Sequence, residues 1–148
     1  RPNSRGSVTL SSSDYRNAAL IQPNYLSSDD DVIDIIQGAK FVAKLSQSAA
    51  FRGVFTASAG NDLSGKSDLD LLQQFKEQGG SIYHLCGTCA IGLNDKNSVV
   101  DASLKVHSLE GVRVIDASVF PNIVSGNINA ATMMVAEKGA DHIIQDYK

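Results

Sequence analysis

The longest periodic apolar pattern lies between Val32 and Leu45. Val32, Ile33, Ile35, Ile36, Ala39, Val42, Ala43 and Leu45 recur there at helical spacing. Ser27, Ser28, Asp29, Asp30 and Asp31 stand ahead of it and supply cap residues and acid for the positive end of a helix dipole. A second helix, Asp68 to Gln78, is expected after Ser67, which with Asp70 has capping-box spacing (Asp in place of Glu) and ends at Gly79-Gly80. A third runs from about Asn129 to Tyr147, after Pro121 and Ser125-Gly126-Asn127. Arg5 to Leu10 reads as a strand, Ser11 to Asn17 as a turn, and Ala18 to Tyr25 as a weaker extended stretch in which Pro23 argues against a central position. Residues 51–65 weaken into a strand fragment and a loop. Ser81 to Leu85, Val99 to Val106 and Val112 to Val119 read as strands, the last two separated by a polar loop with Glu110-Gly111.

Composition narrows the function classes. The 148 residues are 43% hydrophobic and 20% charged, which suits one compact domain or part of a larger one and is too apolar for intrinsic disorder. Thirteen Lys and Arg against 16 Asp and Glu give a net charge of -3 without a basic cluster, so nucleic-acid binding is disfavoured. No apolar run reaches membrane-spanning length, and Arg1 to Ser7 does not read as a signal peptide, so a soluble chain without a membrane partner is expected. The 12 glycines include no two standing two residues apart, which excludes a GxGxxG dinucleotide fingerprint.

Three constellations carry candidate chemistry. Gly60 to Ser67 satisfies the P-loop pattern, with Lys66 and Ser67 in the ligand positions and Asp116 ending an apolar stretch further on. Asp62, Asp68 and Asp70 would oppose a polyphosphate there, and an exposed loop before a capped helix is the stronger reading. Cys86-Gly87-Thr88-Cys89 is a CxxC. A redox pair at a helix start has no helix to start here, and a zinc site built from His84, Cys86 and Cys89 lacks a second ligand pair. Two small, half-buried thiols beside a turn are the plainer reading, and no metal is expected. The third constellation is His84 with Asn127, which by themselves read as a structural histidine and a turn residue.

The stretch from Tyr83 to Asp141 resembles the C-terminal signature of the glucose–methanol–choline (GMC) flavoprotein oxidoreductases. The motifs appear in order. Tyr83-His84-Leu85-Cys86-Gly87-Thr88-Cys89 comes first, then Val112 to Ser118 with Asp116-Ala117-Ser118, Pro121, Ser125-Gly126-Asn127-Ile128-Asn129, and a helix carrying Ala136-Glu137-Lys138 and Ala140-Asp141. Ser4 to Leu10 matches a strand that opens the family's C-terminal region. Leu85-Cys86 stands where the family often has Pro-Val.

The resemblance implies an α+β fold. A substrate-domain antiparallel sheet with flanking helices would occupy residues 1–108, and residues 109–148 would return to complete the FAD-binding domain. It implies an FAD-dependent enzyme acting on a small alcohol, with His84 as the base and Asn127 holding the substrate oxygen. Asp116, Ala117 and Asn129 would lie along the flavin, the backbone of Lys105 and Val106 near the pocket above its ring, and the last helix's N-terminus would face it. An imidazole suits proton acceptance at neutral pH, and an Asn amide donates and accepts without titrating. Because the dinucleotide fingerprint is absent, an N-terminal FAD-binding chain or fragment is the expected partner. The alternatives are a GMC-fold hydroxynitrile lyase with the same His, a P-loop nucleotide-binding domain, and a non-catalytic interaction domain.

Overall fold

The computed structural model describes residues 1–51 and 62–148. The strand fragment expected just beyond Phe51, and Gly60 and Asn61 of the P-loop-like stretch, lie outside the described residues. Two β-strands, β1 (Ser7–Thr9) and β2 (Leu20–Gln22), and three α-helices, α1 (Asp29–Ser46), α2 (Asp68–Gln78) and α3 (Ile128–Asp146), make an α+β fold, with a 3₁₀ turn at Ala117–Val119. The chain divides into two compact units, one of residues 1–2, 7–22 and 81–148, the other of residues 3–6 and 23–80.

The smaller unit holds α1 and α2. All three aspartates of the 29–31 run fall in the first turn of α1, but its start is built differently from a side-chain cap. Asp31, only 7% exposed, accepts hydrogen bonds from the backbone N–H groups of Asn3 (2.7 Å) and Ser4 (2.8 Å) and from the Ser4 hydroxyl. The Ser4 hydroxyl oxygen in turn accepts from the Ser28 N–H at 3.2 Å. Hydrogen bonding to the Ser4 hydroxyl, and then to the Asn3 amide, holds the Asp31 carboxyl below the usual carboxylate range. In α2 the capping box is complete. The Ser67 hydroxyl accepts from Asp70 N–H at 3.2 Å and the Asp70 carboxylate accepts from Ser67 N–H at 3.3 Å. Ile35 and Ala39 of α1 and Leu71 and Phe75 of α2 line one apolar groove, and Leu71 is 3% exposed. Gly79 ends α2 in an extended conformation, its N–H bonded to the Phe75 carbonyl at 2.7 Å.

The larger unit begins with β1 and β2 paired antiparallel, Val8 opposite Ile21. The connecting turn is closed by Asn17 N–H to the Asp14 carbonyl (3.0 Å) and by the Ser11 hydroxyl to the Ala18 carbonyl (2.7 Å). Pro23 follows β2 directly, which a two-stranded sheet tolerates because it has only edges. The core is Val100, Leu104, Val119 and Val135, with Ile91, Val106, Val114, Ile115 and Phe120 packed against it. Gly139 of α3 is buried, and a Cβ there would lie 2.5 Å from Ile115 Cγ2. The glycine lets the helix seat against Ile115.

Three of the expected strands do not form. Tyr83 has φ +64°, outside the β region, so Ser81 to Leu85 is a loop. Val99 to Val106 turns back on itself at Leu104, also at φ +64°, and makes single bridges, Val100 with Ile91 and Val106, and Lys105 with Arg113. Val112 to Val119 contributes that one bridge and then tightens into the 3₁₀ turn.

Candidate active site

His84 sits in the 81–91 loop, directly after the strained Tyr83. A bulky residue in the left-handed region costs about 1–2 kcal/mol, and the Tyr83 ring gains little in return, being 91% exposed. Tyr83 N–H donates to Ser81 Oγ at 3.0 Å, which fixes the turn on the side preceding His84. On the far side Gly87 takes φ +96°, and a Cβ there would lie 3.3 Å from the Phe120 carbonyl oxygen. Cys89 N–H then donates to the Ser118 carbonyl (3.0 Å) and Ile91 N–H to the Val119 carbonyl (2.8 Å). The His84 loop is thereby stapled to the 3₁₀ turn that contains Ala117. His84 is half-buried, and its Nδ1 is buried without a hydrogen-bond partner among the described residues.

The other candidate residues occupy the same unit. Asp116 caps the 3₁₀ turn, its carboxylate accepting from Ser118 N–H at 2.7 Å, and Ala117 opens that turn. Asn127 is the N-cap of α3, exposed, with its side chain making no cap bond, and the first turn of α3 carries no acid. The positive end of the α3 dipole is therefore left unneutralised by its own side chains. The preceding Ser125 accepts two bonds from the Arg1 guanidinium, at 2.7 and 3.0 Å. Asn129 is exposed, its amide nitrogen 4.0 Å from Met133 Sδ.

Lys105 and Val106 are tied into their own chain. Lys105 N–H donates to the Asp101 carboxylate (2.9 Å) and its carbonyl accepts from Asp101 N–H (2.9 Å). Val106 N–H donates to the Val112 carbonyl at 3.0 Å and its carbonyl accepts from Leu109 N–H at 3.3 Å. This backbone therefore offers a bound molecule a shaped surface, with its hydrogen bonds already committed. The Lys105 ammonium and the Arg113 guanidinium each lie 2.7 Å from the Asp146 carboxylate. Those two partners, Lys105 first, lower the Asp146 pKa to about 2.

The competing chemistries fare differently. Lys66 Nζ donates to Gln74 Oε1 at 2.5 Å and the Ser67 hydroxyl belongs to the α2 capping box, so both groups a P-loop would turn on phosphate are engaged. Cys86 and Cys89 are half-buried and neither is in a disulfide. Among the described residues no group of three or more His, Cys, Asp and Glu is placed to hold a metal ion. Sequence reasoning missed the left-handed backbone at Tyr83 and Leu104, which leaves no trace in composition, and Asp101. Asp101-x-Ser103 is an Asx-turn signal that was available to be read, and Ser103 N–H indeed donates to the Asp101 carboxylate at 2.8 Å.

Among the described residues, His84 Nδ1 has no hydrogen-bond partner, the Asn127 side chain makes no cap bond, and the N–H end of α3 has no acid in its first turn. This set suits a ligand that develops negative charge and exchanges a proton, as flavin with an alcohol does.

Residues 2–136 match the family signature described as GMC oxidoreductase. The chain is 39% identical over 145 residues to the oxygen-dependent choline dehydrogenase of Brucella anthropi, covering 97% of this chain and 26% of that protein. It is 37% identical over 144 residues to an alcohol dehydrogenase [acceptor] of Pseudomonas putida, again 97% and 26%. A formate oxidase variant from Aspergillus oryzae RIB40, studied for the modification of its FAD, superposes with a TM-score of 0.88 at 30% identity, covering 95% of this chain and 25% of that one. The chain thus spans about a quarter of the length of the proteins it matches. With a match running through nearly its whole length, the chain belongs to the GMC oxidoreductase family and corresponds to its C-terminal region.

Proposed function

We propose that the chain is the C-terminal part of an FAD-dependent alcohol oxidoreductase and carries its proton-transfer residues. Residues 1–108 serve the substrate domain and residues 109–148 complete the FAD-binding domain. The observation that carries this reading is the staple of the His84 loop to the Ala117 turn within the unit that also presents Asn127 at the head of α3. A family relationship across 97% of the chain supports it.

Bound FAD supplies the acceptor for the hydride leaving the carbinol carbon. His84 takes the hydroxyl proton, so that an alcohol becomes a carbonyl compound with one proton on imidazole. A positioned base of this kind contributes about 10²–10⁴-fold to rate. The Asn127 amide donates to the substrate oxygen as alkoxide character grows, and its own proton inventory stays fixed. The unneutralised N-terminus of α3 favours negative charge near it. Asp116, Ala117 and Asn129 would line the cofactor, and the backbone of Lys105 and Val106 would wall it. An N-terminal FAD-binding part, in the same polypeptide or a separate one, holds the dinucleotide.

The test is anaerobic flavin reduction in the complete enzyme. Alcohol addition should bleach the oxidised flavin absorbance, and His84→Ala should slow that bleaching at least about 100-fold while flavin content stays the same. Undiminished reduction in His84→Ala sinks the assignment. The lyase reading has the same histidine but predicts cyanohydrin cleavage with no flavin bleaching.

A further inference from the structure

The loop 101–105 is closed around a single side chain. Asp101 Oδ1 accepts from Ser103 N–H (2.8 Å) and from Lys105 N–H (2.9 Å). The Asp101 backbone pairs across the same loop, its N–H with the Lys105 carbonyl at 2.9 Å and its carbonyl with Leu104 N–H at 2.9 Å. Between the two amides that share the carboxylate oxygen stands Leu104, at φ +64° and 5% exposed. A leucine holds that conformation only where its surroundings over-determine it. Here one constraint is burial in the core and the other is the Asp101 oxygen, which fixes the residues on both sides. The Leu104 carbonyl then accepts from Val114 N–H (3.1 Å) and the Ser103 carbonyl from Arg113 Nε (3.2 Å). The loop therefore sets where Lys105 and Val106 begin.

We infer that Asp101 is a positioning residue for the reaction, the hydrogen-bond acceptor that fixes the Leu104 reversal and so the placement of the Lys105–Val106 wall beside the flavin. This rests on the flavoenzyme reading above. The wall's own backbone bonds are committed within the chain, so its contribution is shape, and the Asp101 carboxylate oxygen is the side-chain acceptor that helps to set it. A small displacement of a group that aligns substrate and cofactor slows the chemical step far more than it weakens binding.

The experiment measures anaerobic flavin reduction by an alcohol in the complete enzyme, together with the flavin absorbance spectrum. Asp101→Ala should lower the limiting rate about 10- to 100-fold with a smaller change in the alcohol concentration at half-saturation, and should shift the flavin absorption bands. Asp101→Asn keeps a carbonyl oxygen able to accept both N–H bonds and should stay within about threefold of wild type. If Asp101→Ala yields no folded flavoenzyme, Asp101→Ser, with one shorter acceptor, should give a rate between those of wild type and His84→Ala. Wild-type rates and spectra in the Ala or Ser variant overturn the inference, as does an Asn variant as slow as Ala. A wild-type enzyme that binds FAD and is reduced by no alcohol overturns the flavoenzyme reading instead, whatever the Asp101 variants do.

Discussion

Tyr83 places its backbone at φ +64° immediately before the candidate base, and Leu104 does the same immediately before Lys105. Asn24 and Leu26 also take positive φ, but Tyr83 and Leu104 are the two that adjoin candidate site residues, and there the fold is held against local preference. At Tyr83 the side chain is almost fully exposed, so removing it sacrifices little packing in this chain. Tyr83→Gly should therefore leave stability unchanged or raise it by up to about 1 kcal/mol, because glycine takes positive φ without penalty. Tyr83→Val should lose about 1–2 kcal/mol, since a β-branched residue tolerates that region least. Denaturant midpoints of the two variants test this, and equal midpoints would refute a strained turn. His84 itself was legible only through the ordered motifs around it. In isolation Ser-Ile-Tyr-His-Leu reads as a short strand, because alternation reports side-chain polarity and is blind to the sign of φ.

At the scale of elements, what the sequence disclosed depended on how local the cause was. The α2 helix matches its expected limits, residue for residue, because its cap, Ser67 with Asp70, and its stop at Gly79 lie at the helix's own two ends. Val99 to Val106 did not, because its course is set by Asp101 across four residues, by Leu104 in the core, and by Val112 and Val114 from another segment. The C-terminal end of α3 shows the same dependence on distant partners. Asp146 stands at the negative pole of the helix, where an acid is unfavourable, and Lys105 and Arg113 offset it. Its pKa falls from 3.8 to about 2. A carboxyl lowered on folding adds stability that is present above the unfolded value of 3.8 and is lost as pH falls through about 2. Asp146→Asn should therefore be less stable than wild type at neutral pH, with the gap closing as the solution is taken to pH 2. A carboxyl titration followed by NMR should place Asp146 well below the other exposed aspartates. A gap that persists at pH 2 would mean that the ion pairs do not hold the helix end.

At the scale of the whole molecule, α3 is apolar on more than one side. Val135 and Gly139 are buried against the core, yet Met133, Met134, Ile144 and Tyr147 are 61%, 59%, 54% and 85% exposed. At 3.6 residues per turn Met133 and Ile144 share a face roughly opposite Val135. That face also carries Glu137, so it is a mixed surface in which Met133 and Ile144 stay open to solvent among the described residues. The proteins matched by this chain are about four times its length, and the function proposed above assigns the cover of this face to an FAD-binding part. Among the described residues no helix is long and apolar enough to cross a membrane. Each large apolar side chain covered there contributes about 1.5–3 kcal/mol. The chain produced alone should then bind a hydrophobic dye and self-associate, and supplying an FAD-binding part should suppress both. Met133→Lys with Ile144→Lys should reduce dye binding by the chain alone while leaving its helix content intact, because neither side chain faces the core. The same pair of changes should prevent stable assembly with the FAD-binding part and abolish flavin retention. Normal assembly and flavin content in the double variant would show that this face of α3 is not where the two parts of the enzyme meet.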